Sequence, residues 1–176
     1  MDERIPMTQT GYNKIRAELE HLETVVLSEV TQRIAIAREE GDLSENAEYH
    51  GARETQGMVM AKIQFLRDKL SRAYVIDPAR VPHDVVALGA TITLRDVDSG
   101  EEETFTLVGA GEEDLDTNRI LITSPFSKGF IGKKKGDVVE VTVPRGTQRY
   151  EILDLRYEDL DGREAESPLR SENSPG

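Results

Sequence analysis

Two long stretches of the chain carry apolar residues at helical spacing, with a short polar segment between them. The first stretch predicts a helix that starts near Gln9, after a plausible N-cap at Thr8. Its apolar positions are Ile15, Leu19, Leu22, Val26, Val30, Ile34 and Ala37. The second stretch follows an alternating four-three repeat close to a heptad seam. Its positions are Ala52, Gln56, Val59, Ile63, Leu66, Leu70 and Ala73. Because the connection is short, we expect the two helices to pair antiparallel as a coiled-coil hairpin, roughly 45 Å long.

The polar segment between the helices reads Gly41-Asp42-Leu43-Ser44-Glu45-Asn46-Ala47-Glu48-Tyr49 and is expected to form the tip of the hairpin. Gly41 is typical of a helix end, and Asp42, Ser44 and Asn46 favour turns and caps. The residues alone favour a structural role for the acids. In that interpretation Asp42 caps the second helix and Glu45 reaches back to it, as in a capping box.

Two arginines, Arg38 and Arg53, lie within about three turns of the tip on opposite helices. There they could meet a phosphate backbone close to the acidic residues. An ion pair with a neighbouring glutamate is the commoner role for such a side chain. The available glutamates are Glu39, Glu40, Glu48 and Glu54.

A second pattern begins after a proline-containing linker at residues 78–84, so that residues 1–77 form an N-terminal domain and 85–158 a C-terminal one. The C-terminal domain contains short β-branched and alternating runs typical of strands. They span residues 85–94, 104–108, 119–123, 138–143 and 149–155. Ser124-Pro125 could cap and start a short helix. The fold class is therefore α+β with a mostly antiparallel sheet. Residues 159–176 are polar and are expected to be a disordered tail.

Composition excludes several kinds of function. The net charge of −12 argues against broad neutralisation of nucleic-acid phosphates, so contact with RNA should be local or shared with a partner. The absence of cysteine excludes disulfides and cysteine-ligated zinc. The sequence contains no apolar run of membrane-spanning length, and a soluble, cytoplasmic protein is expected. Aromatic residues make up only 5%, which is sparse for a hydrophobic catalytic pocket.

Several motifs, in order along the chain, resemble bacterial transcript cleavage factors of the GreA/GreB family. The resemblance covers roughly residues 5–157. It rests on Ile5-Pro6-Met7-Thr8, the segment 37–50, Val75-Ile76-Asp77, Gly89-Ala90-Thr91-Ile92, Ser124-Pro125, Ile131-Gly132-Lys133 and Gly136-Asp137. The net negative charge of the chain favours the GreA type over the GreB type. This chain has Val26-Leu27-Ser28-Glu29 where the family often has a basic-Pro-Glu turn, and Phe126 and Phe130 replace smaller aliphatic residues.

The resemblance implies a coiled coil that enters the secondary channel of bacterial RNA polymerase and an FKBP-like C-terminal domain that docks at the channel rim. By the same resemblance, Asp42 and Glu45 match an acidic pair that helps place a second magnesium ion and the attacking water. The reaction is hydrolysis near the 3′ end of backtracked RNA, so the protein would be a monomeric catalytic cofactor rather than an enzyme by itself. The implied docking residues are Ser124, Pro125, Phe126 and Phe130.

The chemistry of magnesium is consistent with a shared site. Mg²⁺ prefers octahedral oxygen coordination and keeps several waters, so two exposed carboxylates should hold it only weakly. The polymerase would then supply the remaining ligands, and a two-metal arrangement would stabilise both the entering and the leaving oxygen.

Two other functions are compatible with the same scaffold. An FKBP-like domain could make the protein a prolyl isomerase or chaperone, although fold does not establish function. The protein could also be an inhibitor that binds the polymerase channel without supporting cleavage. The presence of both Asp42 and Glu45 disfavours the inhibitor.

Overall fold

The computed structural model describes residues 3–157 of the chain, so the predicted tail at 159–176 lies outside the described residues. Contacts divide these residues into two units. The helical unit comprises residues 3–4 and 12–73, and the sheet unit comprises residues 5–11 and 74–157. No helix within 3–157 combines the length and apolar content that a membrane span requires.

The helical unit confirms the predicted hairpin. Its helices are α1 (Gln9–His21), α2 (Leu27–Glu39) and α3 (Ala47–Ser71), and a π-helical turn (Leu22–Val26) joins α1 to α2. The first helix begins at Gln9 as predicted, and Thr8 caps it by accepting a hydrogen bond from the Gly11 N–H at 3.1 Å. Two ion pairs link α3 to the first half of the hairpin: Arg67 reaches Glu23 at 2.8 Å, and Lys62 reaches Glu18 at 3.9 Å.

Most of the predicted apolar positions form the buried seam between the helices. Those buried are Ile15, Leu19, Val30, Ile34 and Ala37 on one side and Ala52, Val59, Ile63 and Leu66 on the other. The π-helical turn contains no buried residue, and the predicted seam positions Leu22 and Val26 are only half-buried. A π turn takes more residues than an α turn, so it rotates side chains away from the seam.

The sheet unit is built around five strands, β3 (Ala90–Asp96), β4 (Glu102–Val108), β5 (Arg119–Leu121), β6 (Val138–Val143) and β7 (Gly146–Tyr157). Their order is β5-β4-β3-β7-β6, and every pair is antiparallel except β4 with β5. The mostly antiparallel sheet is therefore confirmed. A short helix, α4 (Pro125–Lys128), follows β5, and Ser124 caps it as predicted.

A two-stranded sheet that the sequence did not predict ties residues 5–11 to the sheet unit. It pairs β1 (Ile5–Met7) with β2 (Ala73–Val75), and the Ile76 N–H donates to the Met7 carbonyl at 2.8 Å. Met7 is fully buried, and a Cβ at Gly109 would lie 2.5 Å from the Met7 Cα. Only glycine permits this close approach of the two backbones.

Two predicted boundaries shift because tertiary contacts override local propensity. The second helix ends at Ser71 rather than near residue 75, since residues 73–75 pair with β1. The predicted strand 85–94 begins only at Ala90. In the preceding segment, Val86 exchanges two backbone hydrogen bonds with residues 132 and 133, each 2.8 Å long.

The side chain of the buried Tyr157 binds the backbone of residues 85–87, the segment before β3, and offers a test of the fold. Its hydroxyl donates to the Val85 carbonyl at 2.5 Å and accepts from the Ala87 N–H at 3.0 Å. We expect Tyr157→Phe to lower the free energy of unfolding by about 1–3 kcal/mol, because two partly buried backbone groups lose their partner. Urea unfolding of both proteins measures this difference, and equal midpoints would contradict it.

The same side chain should make stability sensitive to alkali. Burial disfavours the phenolate and raises the pKa of Tyr157 to about 12 from its usual value of 10.0. The neutral phenol therefore contributes stability below pH 10, and this contribution is lost as the pH rises toward 12. Between pH 10 and 12, Tyr157→Phe should lose less stability than the parent. An equal loss would contradict the raised pKa of Tyr157.

Candidate functional site

The tip of the hairpin presents two acidic residues at the ends of one turn. The helix α2 ends at Glu39, and Gly41 follows with a φ of +134°, a conformation that side-chain-bearing residues rarely adopt. The Glu45 N–H then donates to the Asp42 carbonyl at 3.4 Å, which closes the turn. Both Asp42 and Glu45 are exposed. The acidic turn, residues 42–45, thus projects two carboxylates into solvent.

The carboxylate of Asp42 is held in its ionised form. Its Oδ1 accepts hydrogen bonds from the Ser44 N–H at 3.0 Å and from the Ser44 hydroxyl at 2.9 Å. The backbone bond and then the hydroxyl bond lower the pKa of Asp42 below its usual value. These two bonds also fix the orientation of the carboxylate.

The capping role predicted for Asp42 is wrong. Asn46 is the N-cap of α3, and its side chain accepts from the Tyr49 N–H at 3.0 Å. The side-chain hydrogen bonds of Asp42 go instead to Ser44, and no capping box from Glu45 forms among residues 3–157. Asp42, Ser44 and Asn46 have similar capping preferences, which is why the sequence did not identify the cap. Both acids are consequently available for another role.

The arginines near the tip are exposed, and neither forms an ion pair within residues 3–157. The Arg38 guanidinium lies 5.8 Å from the centroid of the Tyr49 ring, a cation–π contact. The ion-pair alternative is therefore not observed for Arg38 or Arg53. Their charges remain near the acidic turn on opposite helices.

Within the described residues, the tip offers carboxylate ligands but no complete metal site. Among residues 3–157, no group of three or more His, Cys, Asp or Glu side chains could hold a metal ion. Asp42 and Glu45 provide carboxylate oxygens, the ligand type that Mg²⁺ prefers, but too few of them for a complete site. The donor set fits a metal shared with a partner.

The sheet unit contains a largely apolar cavity of about 570 Å³ beside its edge strand β5. The lining residues are Phe105, Glu113, Asp114, Leu115, Arg119, Ile120, Leu121, Ser124 and Phe126. Leu115 is 80% exposed, which is unusual for so large an apolar side chain. Two acids, Glu113 and Asp114, stand in the lining next to it.

The predicted docking residues have different positions around this cavity. Ser124 and Phe126 line it, and Pro125 is exposed. Phe130 is fully buried, so it supports the surface from beneath and cannot contact a partner itself. Its ring lies 5.1 Å from that of Phe126, which in turn lies 5.5 Å from that of Phe105.

The cavity was not predictable from the overall content of aromatic residues, because that content does not show where in the fold they lie. Three of the four phenylalanines in the chain belong to one cluster, which also includes Tyr150. Phe105 lies in the alternating pattern of β4, and Phe126 directly follows the Ser-Pro start of α4. A low overall content of aromatic residues is thus compatible with a local aromatic surface.

Comparison with known proteins identifies the class to which both units belong. Residues 5–75 match the family model "Transcription elongation factor, N-terminal", and residues 81–157 match "Transcription elongation factor, GreA/GreB, C-term". These are transcription elongation factors. The chain belongs to the GreA/GreB family of these factors.

Curated relatives match this chain over nearly their whole length. The chain is 44% identical over 161 residues to transcription elongation factor GreA of Rickettsia prowazekii, covering 92% of this chain and 99% of that protein. It is 49% identical over 155 residues to GreA of Paracoccus denitrificans, covering 88% and 99%. The solved structure of the transcription factor Gfh1 is 25% identical, with a TM-score of 0.44, and the match covers 88% of this chain and 99% of that one.

Proposed function

We propose that this protein stimulates bacterial RNA polymerase to hydrolyse backtracked RNA near its 3′ end, and that it acts in the cytoplasm as a catalytic cofactor. The observation that carries the proposal is the acidic turn. Its two exposed carboxylates do not cap the following helix, and the Asp42 carboxylate accepts two hydrogen bonds from Ser44. Membership of the family supports the choice of partner.

Asp42 and Glu45 would hold a magnesium ion together with ligands from the polymerase. When bound, the ion supplies an activated water and stabilises negative charge on the phosphodiester oxygens. Ser44 fixes the orientation of the Asp42 carboxylate through two hydrogen bonds. Arg38 and Arg53 would contact RNA phosphates near the turn, and the Tyr49 ring restrains Arg38.

We further propose that the cavity beside β5 is the polymerase-docking surface. Apolar side chains that remain exposed in a folded domain commonly mark interaction sites. Leu115 would anchor the contact, with Phe126 behind it and Glu113 and Asp114 pairing with basic groups of the polymerase. The role of the sheet unit is then affinity, and the role of the tip is chemistry.

This division of roles predicts a variant that is defective only in docking. Leu115→Glu should raise the concentration of protein needed for half-maximal RNA release by about tenfold, the equivalent of about 1.4 kcal/mol of binding. The maximal rate at saturating protein should not change. Val138→Glu, which alters a 59% exposed residue on the opposite edge strand, is the matched control. Equal effects of the two substitutions would contradict the assignment of this surface.

The experiment that tests the proposed function measures release of 3′ RNA fragments from a deliberately backtracked elongation complex. We expect release with polymerase and this protein together to exceed release with polymerase alone, and no cleavage of RNA by the protein alone. Binding without release would indicate a channel inhibitor. Cleavage without polymerase would overturn the cofactor role.

A further inference from the structure

The side chain of Asn46 forms hydrogen bonds to both helices of the hairpin beneath the acidic turn. Its amide nitrogen donates to the Ala37 carbonyl at 2.6 Å, across nine residues of chain. Its amide oxygen accepts from the Tyr49 N–H at 3.0 Å. Asn46 therefore binds the last turn of α2 and the first turn of α3 at the same time.

Only one of these two hydrogen bonds is needed to cap a helix. Serine and aspartate cap about as well as asparagine, because capping requires only a side-chain acceptor. The bond to Ala37 instead uses the amide as a donor. An ionised carboxylate has no donor, and the hydroxyl of serine sits on a side chain one atom shorter. Asparagine thus combines a cap with a cross-link between the helices.

The cross-link defines the ends of the segment that carries the acids. Residues 38–45 lie between its two attachment points, and Asp42 and Glu45 are both within this span. Within the span, the Glu40 N–H donates to the Ala37 carbonyl, and Asp42 forms hydrogen bonds with residues 44 and 45. From α3, the Nε2 atom of His50 lies 3.4 Å from the Ser44 carbonyl. The segment is otherwise exposed, apart from half-buried Asn46 at its base.

We propose that Asn46 is a positioning residue for transcript cleavage. By fixing the distance between the helix ends, it holds the carboxylates of Asp42 and Glu45 in the arrangement that the shared metal site needs. The role in cleavage rests on the proposed function, whereas the effect on the acidic turn does not. A displacement of about 1 Å at a reacting centre can cost about a hundredfold in rate, so a cross-link of this kind has a measurable effect.

The test uses Asn46→Ser and Asn46→Asp, which retain an acceptor for the Tyr49 N–H and remove the amide donor that reaches Ala37. The control is Ile63→Val, which removes one buried methylene from the seam far from the tip and costs stability comparable to one hydrogen bond. The first measurement is made on the protein alone. Amide order parameters from NMR relaxation should fall at residues 42–45 in both Asn46 variants and stay at the parent level in Ile63→Val.

The second measurement is RNA release from backtracked complexes at saturating protein. We expect the maximal rate to fall by about tenfold or more in both Asn46 variants, while the half-saturating concentration stays within about twofold of the parent. Ile63→Val should match the parent in both quantities. This separation of rate from affinity distinguishes positioning from a general loss of hairpin stability.

Two results would overturn the inference. One is unchanged order parameters in the acidic turn of both variants, and the other is a parental release rate in both. If the parent itself releases no RNA, the proposed function fails, and the order parameters alone still decide whether Asn46 holds the turn.

Discussion

Asp42→Asn is expected to reduce the maximal rate of RNA release by at least about a hundredfold, since a metal ligand can supply several kcal/mol of transition-state stabilisation. In the structure, this substitution changes the charge of the side chain without removing a helix cap. Asn46, not Asp42, caps α3, so the helix keeps its cap. The asparagine oxygen can still accept from Ser44, and only the negative charge is removed.

Competition with the parent protein for polymerase and far-UV circular dichroism are the controls for this substitution. The variant should compete as well as the parent and retain its helical content. Glu45→Gln should behave in the same way, because Glu45 lies at the other end of the turn and makes no capping box with α3. Near-parental release by Asp42→Asn, with magnesium below saturation, would refute the catalytic assignment.

Phe130→Ala should destabilise the sheet unit by about 3–5 kcal/mol, the usual cost of deleting a fully buried phenylalanine ring. The ring is 0% exposed and lies 5.1 Å from the ring of Phe126 and 6.0 Å from that of Tyr150. Because Phe126 lines the cavity, the variant should also lose affinity for polymerase. Urea unfolding followed by near-UV circular dichroism of the aromatic cluster measures the stability.

The matched control for this substitution is Phe65→Ala, which removes the same side chain from an exposed site on α3. Phe65 is 54% exposed, and its ring lies between two lysine side chains. We expect its removal to change stability by less than about 1 kcal/mol. If Phe130→Ala unfolds at the same urea concentration as the parent, the core assigned to the sheet unit is incorrect.

The helical hairpin was predictable because its signal is local and long. Apolar spacing identified both helices, and Thr8 and Ser124 were recognised as caps from the residues that follow them. The tip was harder to predict. Three capping residues stand close together before α3, and only the structure shows that Asn46 is the one that accepts from the Tyr49 N–H.

Features that depend on contacts distant in sequence were not predictable. The pairing of β1 with β2 joins residues about seventy positions apart, and it converts the predicted end of the second helix into a strand. The parallel pairing of β4 with β5 likewise places Phe105 and Leu121 beside one cavity. The π turn at Leu22–Val26 has no proline or glycine to mark it.

The central claim, that the acidic turn completes a magnesium site together with RNA polymerase, is tested most directly by magnesium titration of RNA release from backtracked complexes. The titration compares polymerase alone, polymerase with the parent protein, and polymerase with Asp42→Asn, both proteins at saturation. The account predicts that the parent protein lowers the magnesium concentration for half-maximal release and that Asp42→Asn does not. Identical magnesium dependence in all three cases, with release still stimulated by the parent, would contradict it.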